Sequence, residues 1–501
     1  MTDHYAEADA AIAAILGGRR AHEVESRTLD FKTAAPDLRA TGAMLAEAAV
    51  CFANTLGGVI VLGVDDKAKG PDAFVGTNLQ PDEVRRLIYQ RTDPRITVDV
   101  RVESVGTARV LQVLVPEGMD VHALTDGRVL HRVDAQQCAP MPPGAQMRLR
   151  EERSGFDWSA QPSDRTVRDV DPLAMAAARG RLHGLPDRRA ELARLGDHDL
   201  LRAIGLVDAD GRLLRAGELL LVDPGESAAP LVRYQYQATP GGDPLAVDRL
   251  GAPLLPAFQR AFELVEARRT GVPLLLPDGQ MITLADYPDV AVREALANAV
   301  IHRDLRLPGP VDIVHSPTVL VISSPGPLVS GVTPHNILTH PSKPRNPVLA
   351  SAFRTLGLAE ETGRGVDRMY RESIRSGREL PGIEDRGDSV RVTFVGGEPN
   401  ARIARFVAHM ARDEQADTDT LLVLFVLCSR QTVTAHALAP VLQKTNDEVE
   451  AVLRRLAAVP PGILEPTRGT LRRANPSYRL RGEALSALGP AITYRRRAPD
   501  E

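Results

Sequence analysis

The chain has 501 residues, more than one ordinary domain holds, and 43% of them are hydrophobic and 25% charged. That balance leaves room for several packed cores and excludes wholesale disorder. A formal net charge of −4 excludes a molecule that coats nucleic acid with overall positive charge, so any nucleic-acid surface has to be a local patch.

Residues 7–16 carry helical periodicity. Leu29 and Phe31 alternate with Thr28, Asp30 and Lys32, the period of a half-buried strand. Residues 41–53 read as an apolar-faced helix that Gly57 and Gly58 end, and 59–64 as a fully apolar, buried strand. Another strand is expected at 109–115. The polar, proline-bearing stretch 139–172 reads as a linker. Residues 173–270 mix helices with a turn at 208–211 and form a connecting domain without assigned chemistry. Pro288 opens a helix over 288–302. Strands at 311–315 and 319–323 follow, then a long loop over 324–347, a helix at 348–356, the glycine pair Gly363 and Gly365, a helix at 366–376 and a strand at 390–395. Over 418–480, three helices and a hairpin describe a winged helix-turn-helix. The chain is thus expected to be multidomain α+β, with boundaries at 1–138, 139–275, 276–400 and 401–501.

Three cysteines, Cys51, Cys138 and Cys428, lie far apart and form no C-x-x-C pair. That argues against a disulfide framework and fits a reducing cytoplasm. The N-terminus has acids and no basic n-region, so it does not read as a signal peptide. The longest strongly apolar run, 421–428, is far short of the ~20 residues of a membrane helix. A cytoplasmic protein without a membrane partner is expected. Lysine occurs only at Lys32, Lys67, Lys69, Lys343 and Lys444, so clusters of the abundant arginine carry little information.

The segment EALANAVIHRD, 294–304, places Glu294, Asn298 and His302 at i, i+4 and i+8, along one helix face. An amide oxygen together with triphosphate oxygens can hold Mg²⁺, which keeps several waters, while the carboxylate orients or deprotonates a water. Gly363 and Gly365 precede a helix, where backbone N–H groups can approach phosphate. His302 reads as a structural hydrogen-bonder. These motifs resemble the GHKL superfamily of ATPases and kinases, and more closely its helicase-related branch. R-E-A-L-x-N-A-x-x-H-R-D stands at 293–304, a P-G turn at Pro325 and Gly326, R-N-P at 345–347 and T-G-x-G at 362–365. The resemblance covers roughly 280–398. It implies a Bergerat-type α/β sandwich that binds ATP with Mg²⁺, with Glu294 as base, Asn298 as metal ligand, and Gly326, Gly363 and Gly365 beside the nucleotide. The adenine-reading aspartate usual before the glycine turn is Ser324 here, and hydrolysis stays open. No G-x-x-x-x-G-K-[S/T] loop occurs, so no motor domain is read.

Near the N-terminus, ESRTLDFK (25–32) and CFANTLGGVIVLGVDD (51–66) carry Glu25, Asp30, Lys32, Asp65 and Asp66. Three carboxylates at strand ends could bind divalent ions and act on a phosphodiester, with Lys32 on a phosphate. They could equally cap turns and pair with Arg27 or Lys32. Both landmarks resemble the Schlafen-type Alba-like (AlbA_2) domain over roughly 20–135. The resemblance implies nucleic-acid binding. In some members it implies RNA cleavage through three carboxylates, here Glu25, Asp30 and Asp65 or Asp66. Fusion to a GHKL domain implies a transcriptional regulator, DNA-binding first, ahead of the alternative of an ATP-gated, metal-dependent ribonuclease in stress or phage defence. In the winged helix, Arg468, Arg472 and Arg473 could contact phosphate. The acids at 447–450 would face DNA poorly, so a protein-protein role stands beside DNA contact. A homo-oligomer, with a dimer the smallest case, is expected.

Overall fold

The computed structural model describes residues 4–133, 135–223, 225, 229–251, 253–276, 279–359, 363–458, 462–470 and 475–488. The chain divides into two compact units, 1–156 and 157–501.

In the first unit a four-stranded sheet runs in the order Leu29–Lys32, Gly58–Leu62, Ala108–Val115, Asp99–Val105. The first pair is parallel and the others antiparallel. Helices Leu38–Ala53 and Pro81–Arg91 cover one face, and His4–Leu16 covers the other. Gly58–Leu62 is therefore buried at every residue, and its sequence is a continuous apolar run instead of an alternation. Gly58 has φ 151°, and a Cβ there would stand 2.4 Å from the Thr28 carbonyl oxygen, so only glycine lets this strand begin beside its partner.

The cysteine expectation is corrected here. Cys51 and Cys138 form a disulfide, with Cα atoms 6.1 Å apart. They are separated by 87 residues in sequence, but the Leu130–Arg132 and Cys138–Pro140 ribbon folds onto the Leu38–Ala53 helix that carries Cys51.

The second unit is built on a six-stranded mixed sheet: Pro244–Leu250, Val232–Gln237, Val311–His315, Val319–Pro325, Ser389–Val395, Gly382–Asp385. Helices Leu254–Glu266, Asp289–Ile301 and Pro347–Thr355 share one continuous core with it. The expected boundary at 276 runs through this core. The segment read as a connector supplies two of the six strands, because Val232–Gln237 pairs in parallel with Val311–His315, a long-range contact that local patterning does not reveal. The expected linker also holds a helix, Pro143–Ser154, where proline sits in the first turn and starts the helix instead of breaking it.

At the C-terminal end, helices Thr418–Leu427, Ala435–Leu442 and Asn446–Ala457 pack with a small sheet in the order Val433–Thr434, Ser477–Leu480, Leu464–Pro466. Thr445 and Glu448 close a capping box at the start of the third helix. Ile374, from the Gly365–Arg375 helix, is buried in this second core. Among the described residues, no helix is long and apolar enough to cross a membrane.

The tight start of the central strand yields a stability test. Gly58→Ala should destabilise the first unit by about 2 kcal/mol or more, since backbone and not a flexible side chain stands in the way. Hydrogen exchange of the 59–62 amides across a urea series measures this. An unshifted midpoint would show that the Thr28 carbonyl moves aside at no cost.

Candidate functional site

Pro288 caps the start of the Asp289–Ile301 helix, and Asp289 in its first turn pairs with Arg269. Most of the helix is apolar and buried, and it buries Glu294 with it, to 4% exposure. A buried carboxylate requires a partner, and Arg368 Nη1 lies 3.3 Å from Glu294 Oε1. Gly365, the first residue of the Gly365–Arg375 helix, lies directly over this face. A Cβ at Gly365 would stand 3.0 Å from Glu294 Oε2 and 3.2 Å from Asn298 Nδ2. The Glu294 and Asn298 side chains thus meet the N-terminus of a second helix, where backbone N–H groups and the helix dipole favour an anion.

Glu294, Asn298, Ser324, Gly326, Gly363 and Gly365 all line one open cleft of about 1220 Å³, mouth included. Ile322, Met369 and Val392 give it an apolar floor. Gly363 lies against Ser342, and Gly326 against Asp304 and Arg345, each too closely for a Cβ. Ser324 donates its hydroxyl proton to the Ala299 carbonyl at 2.6 Å, so that proton is already committed. His302 also lines the cleft. Burial, with Arg345 nearby, pushes its imidazole down to about 4, so it is neutral at pH 7. Other motif residues are fasteners. Asn346 donates to the Ile301 and Arg303 carbonyls at 2.8 and 2.9 Å, holding the end of the Asp289–Ile301 helix. Asp304 is paired with Arg306 and Arg345.

Two cations at this site were missed in the sequence. Lys343 forms part of the cleft wall, with Nζ donating to the Ser330 carbonyl at 3.3 Å. Its only sequence signal is that it is one of five lysines and stands just before the R-N-P motif. Arg368 had none.

In the first unit, the structure brings Glu25 and Asp30 together and leaves Asp65 out. Asp30 is buried to 3% and pairs with Lys32 Nζ at 2.9 Å and Arg132 Nη1 at 3.5 Å. Arg132 also donates to the Ser26 and Leu29 carbonyls and lies 4.8 Å over the Phe52 ring. Burial, then the Asp30 charge, raises the Glu25 carboxyl to about 7. Asp65 instead closes a turn by accepting the Lys67 N–H at 2.9 Å. Among the described residues, no group of three or more His, Cys, Asp and Glu could hold a metal ion. The expected three-carboxylate metal site of Glu25, Asp30 and Asp65 is therefore not assembled: one acid serves a turn and another two cations. Asn54 of the F-A-N-T motif exchanges hydrogen bonds with the His122 backbone and donates to Leu130 O, a structural role.

At the C-terminal end Arg468 is exposed, while Arg472 and Arg473 lie outside the described residues. Arg454 and Arg455 of the Asn446–Ala457 helix are paired with Glu450 and Asp417.

Residues 25–141 match the family model described as Schlafen, AlbA_2, and residues 309–394 match that described as Putative ATP-dependent DNA helicase recG C-terminal. The chain joins an AlbA_2 domain to a recG-like ATP-binding domain. The first match takes in Glu25, Asp30, Lys32, Asp65 and Arg132, and the second takes in all three cleft glycines. Glu294 and Asn298 precede the second match, and it is the fold that sets them against Gly365. Among solved structures, the DIP2311 protein from Corynebacterium diphtheriae is similar, at 28% identity and a TM-score of 0.58, over 97% of this chain and 98% of that one. No curated protein matches.

Glu25 makes the AlbA_2 domain sensitive to pH. The folded state holds a proton up to about 7, and the unfolded glutamate releases it near 4.5. The unfolded state then binds fewer protons, so stability falls as pH rises from 4.5 to about 7 and levels off above. Glu25→Gln should remove this decline, making the variant more stable than wild type at pH 8 and little changed at pH 4.5. Denaturant midpoints at the two pH values measure it, and an equal decline in the variant would assign the effect to another group.

Proposed function

We propose that the protein is an ATP-binding, nucleic-acid-binding regulator, with DNA the favoured nucleic acid. The observation that carries the nucleotide half is the placement of Gly365 over Glu294 and Asn298 at the wall of the cleft. We read the six-stranded sheet and its helices as a GHKL sandwich, and the C-terminal helices with their small sheet as a winged helix. Mg²⁺ would be held by the Asn298 amide oxygen together with phosphate oxygens, and would neutralise phosphate charge there. Lys343, which lines the same cleft, would meet the phosphates, and the N-terminus of the Gly365–Arg375 helix would bind them through backbone N–H groups. Glu294 would orient water if the bound ATP is cleaved. The apolar floor of Ile322, Met369 and Val392 suits a flat base.

For the AlbA_2 domain, the commitments of its acids support binding over cleavage. Asp30 is held by two cations, which weakens it as a ligand for a hard cation, and Asp65 is spent on a turn. Lys32, part-exposed beside Asp30, is the cation of this edge strand that can reach a phosphate, while buried Arg132 holds Asp30 from behind.

Calorimetry of the full chain with Mg-ATP tests the first half. Asn298→Ala should weaken binding by about tenfold, the loss of about 1.4 kcal/mol, while Glu294→Gln should retain binding. Absence of ATP and ADP binding by the wild type at millimolar Mg²⁺ would overturn the nucleotide reading. For the second half, affinity for duplex DNA should fall with salt, and Lys32→Ala should lower the slope by about one counterion. A salt-independent affinity, or a slope unchanged in Lys32→Ala, would remove this surface from the account.

A further inference from the structure

Part of the cleft wall is a segment without helix or strand, 327–345, lying between the Val319–Pro325 strand and the Pro347–Thr355 helix. It contributes Val329, Ile337, Ser342 and Lys343 to the cleft. Internally it is held by short-range turns, with the Asn336 and Thr339 N–H groups donating to the Thr333 and Asn336 carbonyls. Asn336 bonds Thr333 N–H and Gly331 O, and Lys343 reaches Ser330 O. Among the described residues, the hydrogen bonds that enter 331–341 from outside the segment both come from one side chain, that of Gln443. Its Oε1 accepts the Leu338 N–H at 2.8 Å, and its Nε2 donates to the Pro334 carbonyl at 2.9 Å. The Leu338 side chain packs against the C-terminal core beside it.

Gln443 is unusual for its place. It ends the Ala435–Leu442 helix in the left-handed region, φ 54°, and among the described residues it is the one non-glycine with positive φ. Glycine is the ordinary occupant of that position, and this chain uses it at the ends of the Pro143–Ser154 and Asp197–Ile204 helices. Glycine could close the helix at 443 with less strain, but it could not reach the backbone of 334–338 in the 327–345 segment, which we call the lid. The side chain, with both amide atoms committed to the lid backbone, accounts for the departure.

A second contact ties the C-terminal module to another part of the cleft, the Gly365–Arg375 helix. The Gly365–Arg375 helix starts over Glu294 and Asn298, and farther along it Ile374 is buried in the C-terminal core, while Arg371 donates to the Ala416 carbonyl at 3.1 Å. Lys444, next to Gln443, pairs with Asp419 of the Thr418–Leu427 helix, which packs on that same helix. One wall of the cleft and the helix that opens onto it therefore both rest on residues beyond 400.

We propose that Gln443 is a positioning residue of the nucleotide site, supplied by the C-terminal module, and that it holds the 327–345 lid with Lys343 against the cleft. The site is then incomplete without that module, and the placement of the module and occupancy of the cleft bias each other, as linkage requires. This rests on the nucleotide reading above.

The test is Gln443→Gly in the full chain. It removes the side chain and relieves the left-handed backbone, so the fold should persist. Losing two hydrogen bonds to the lid should speed exchange of the Leu338 amide in the ligand-free protein by about tenfold or more. Exchange within the Ala435–Leu442 helix should not change. Mg-ATP should dissociate about fivefold to tenfold faster, while Gln443→Asn, too short by a methylene to span both backbone groups, should behave like the glycine variant. Unchanged exchange at Leu338 overturns the clasp, whether or not nucleotide binds. Faster exchange with an unaltered ATP off-rate overturns its role in the site. A wild type that binds no nucleotide overturns the functional reading itself, and leaves the exchange result to judge the clasp alone.

Discussion

The second unit depends on how closely the start of the Gly365–Arg375 helix approaches the Asp289–Ile301 helix. A side chain at 365 would press on the Glu294 carboxylate and the Asn298 amide and push both out of their places. Close approach buries a carboxylate, and leaving such a group without a partner costs several kcal/mol. The same helix answers this one turn later with Arg368. Glycine and arginine three positions apart on one helix therefore make room for the acid and provide its counter-ion. Because the helix also contributes Ile374 to the C-terminal core, the geometry around Glu294 is braced from outside the cleft.

Local periodicity carried much of the architecture. The i, i+4, i+8 spacing of Glu294, Asn298 and His302 located the Asp289–Ile301 helix, and the apolar run at 59–64 located the Gly58–Leu62 strand. What escaped has a common physical origin, which is pairing across long stretches of chain. The parallel register of Val232–Gln237 on Val311–His315 leaves no trace in either segment, so two strands of the sheet were read as a connector. Cys51 and Cys138 stand 87 residues apart in sequence, while a folded ribbon sets their Cα atoms 6.1 Å apart. Lys343, Arg132 and Gln443 come from a loop, a short ribbon and a helix end, none of which has a period to read.

The motifs mixed two kinds of residue that look alike as text. Asn298 faces the cleft, whereas Asn54 and Asn346 spend their amides on backbone carbonyls of neighbouring segments. A side-chain amide is suited to both tasks because it offers donors and an acceptor without charge. Asp65 shows the same ambiguity for carboxylates. At the end of a strand and before a turn, its nearest unsatisfied donor is a backbone N–H two residues on, and that local bond forms without bringing distant acids together.

The acidic pair of the AlbA_2 domain shows what this implies for charge. Two carboxyls share a partly buried pocket, and mutual repulsion together with burial favours keeping a proton on one of them, Glu25. Asp30 is then the carboxylate that faces Lys32 and Arg132. With Glu25 protonated below about pH 7, one acid stands against the two cations Lys32 and Arg132, in a chain whose net charge is −4. A cluster that reads as three acids in the sequence is thus, once folded, a place where a phosphate meets less repulsion than its letters suggest.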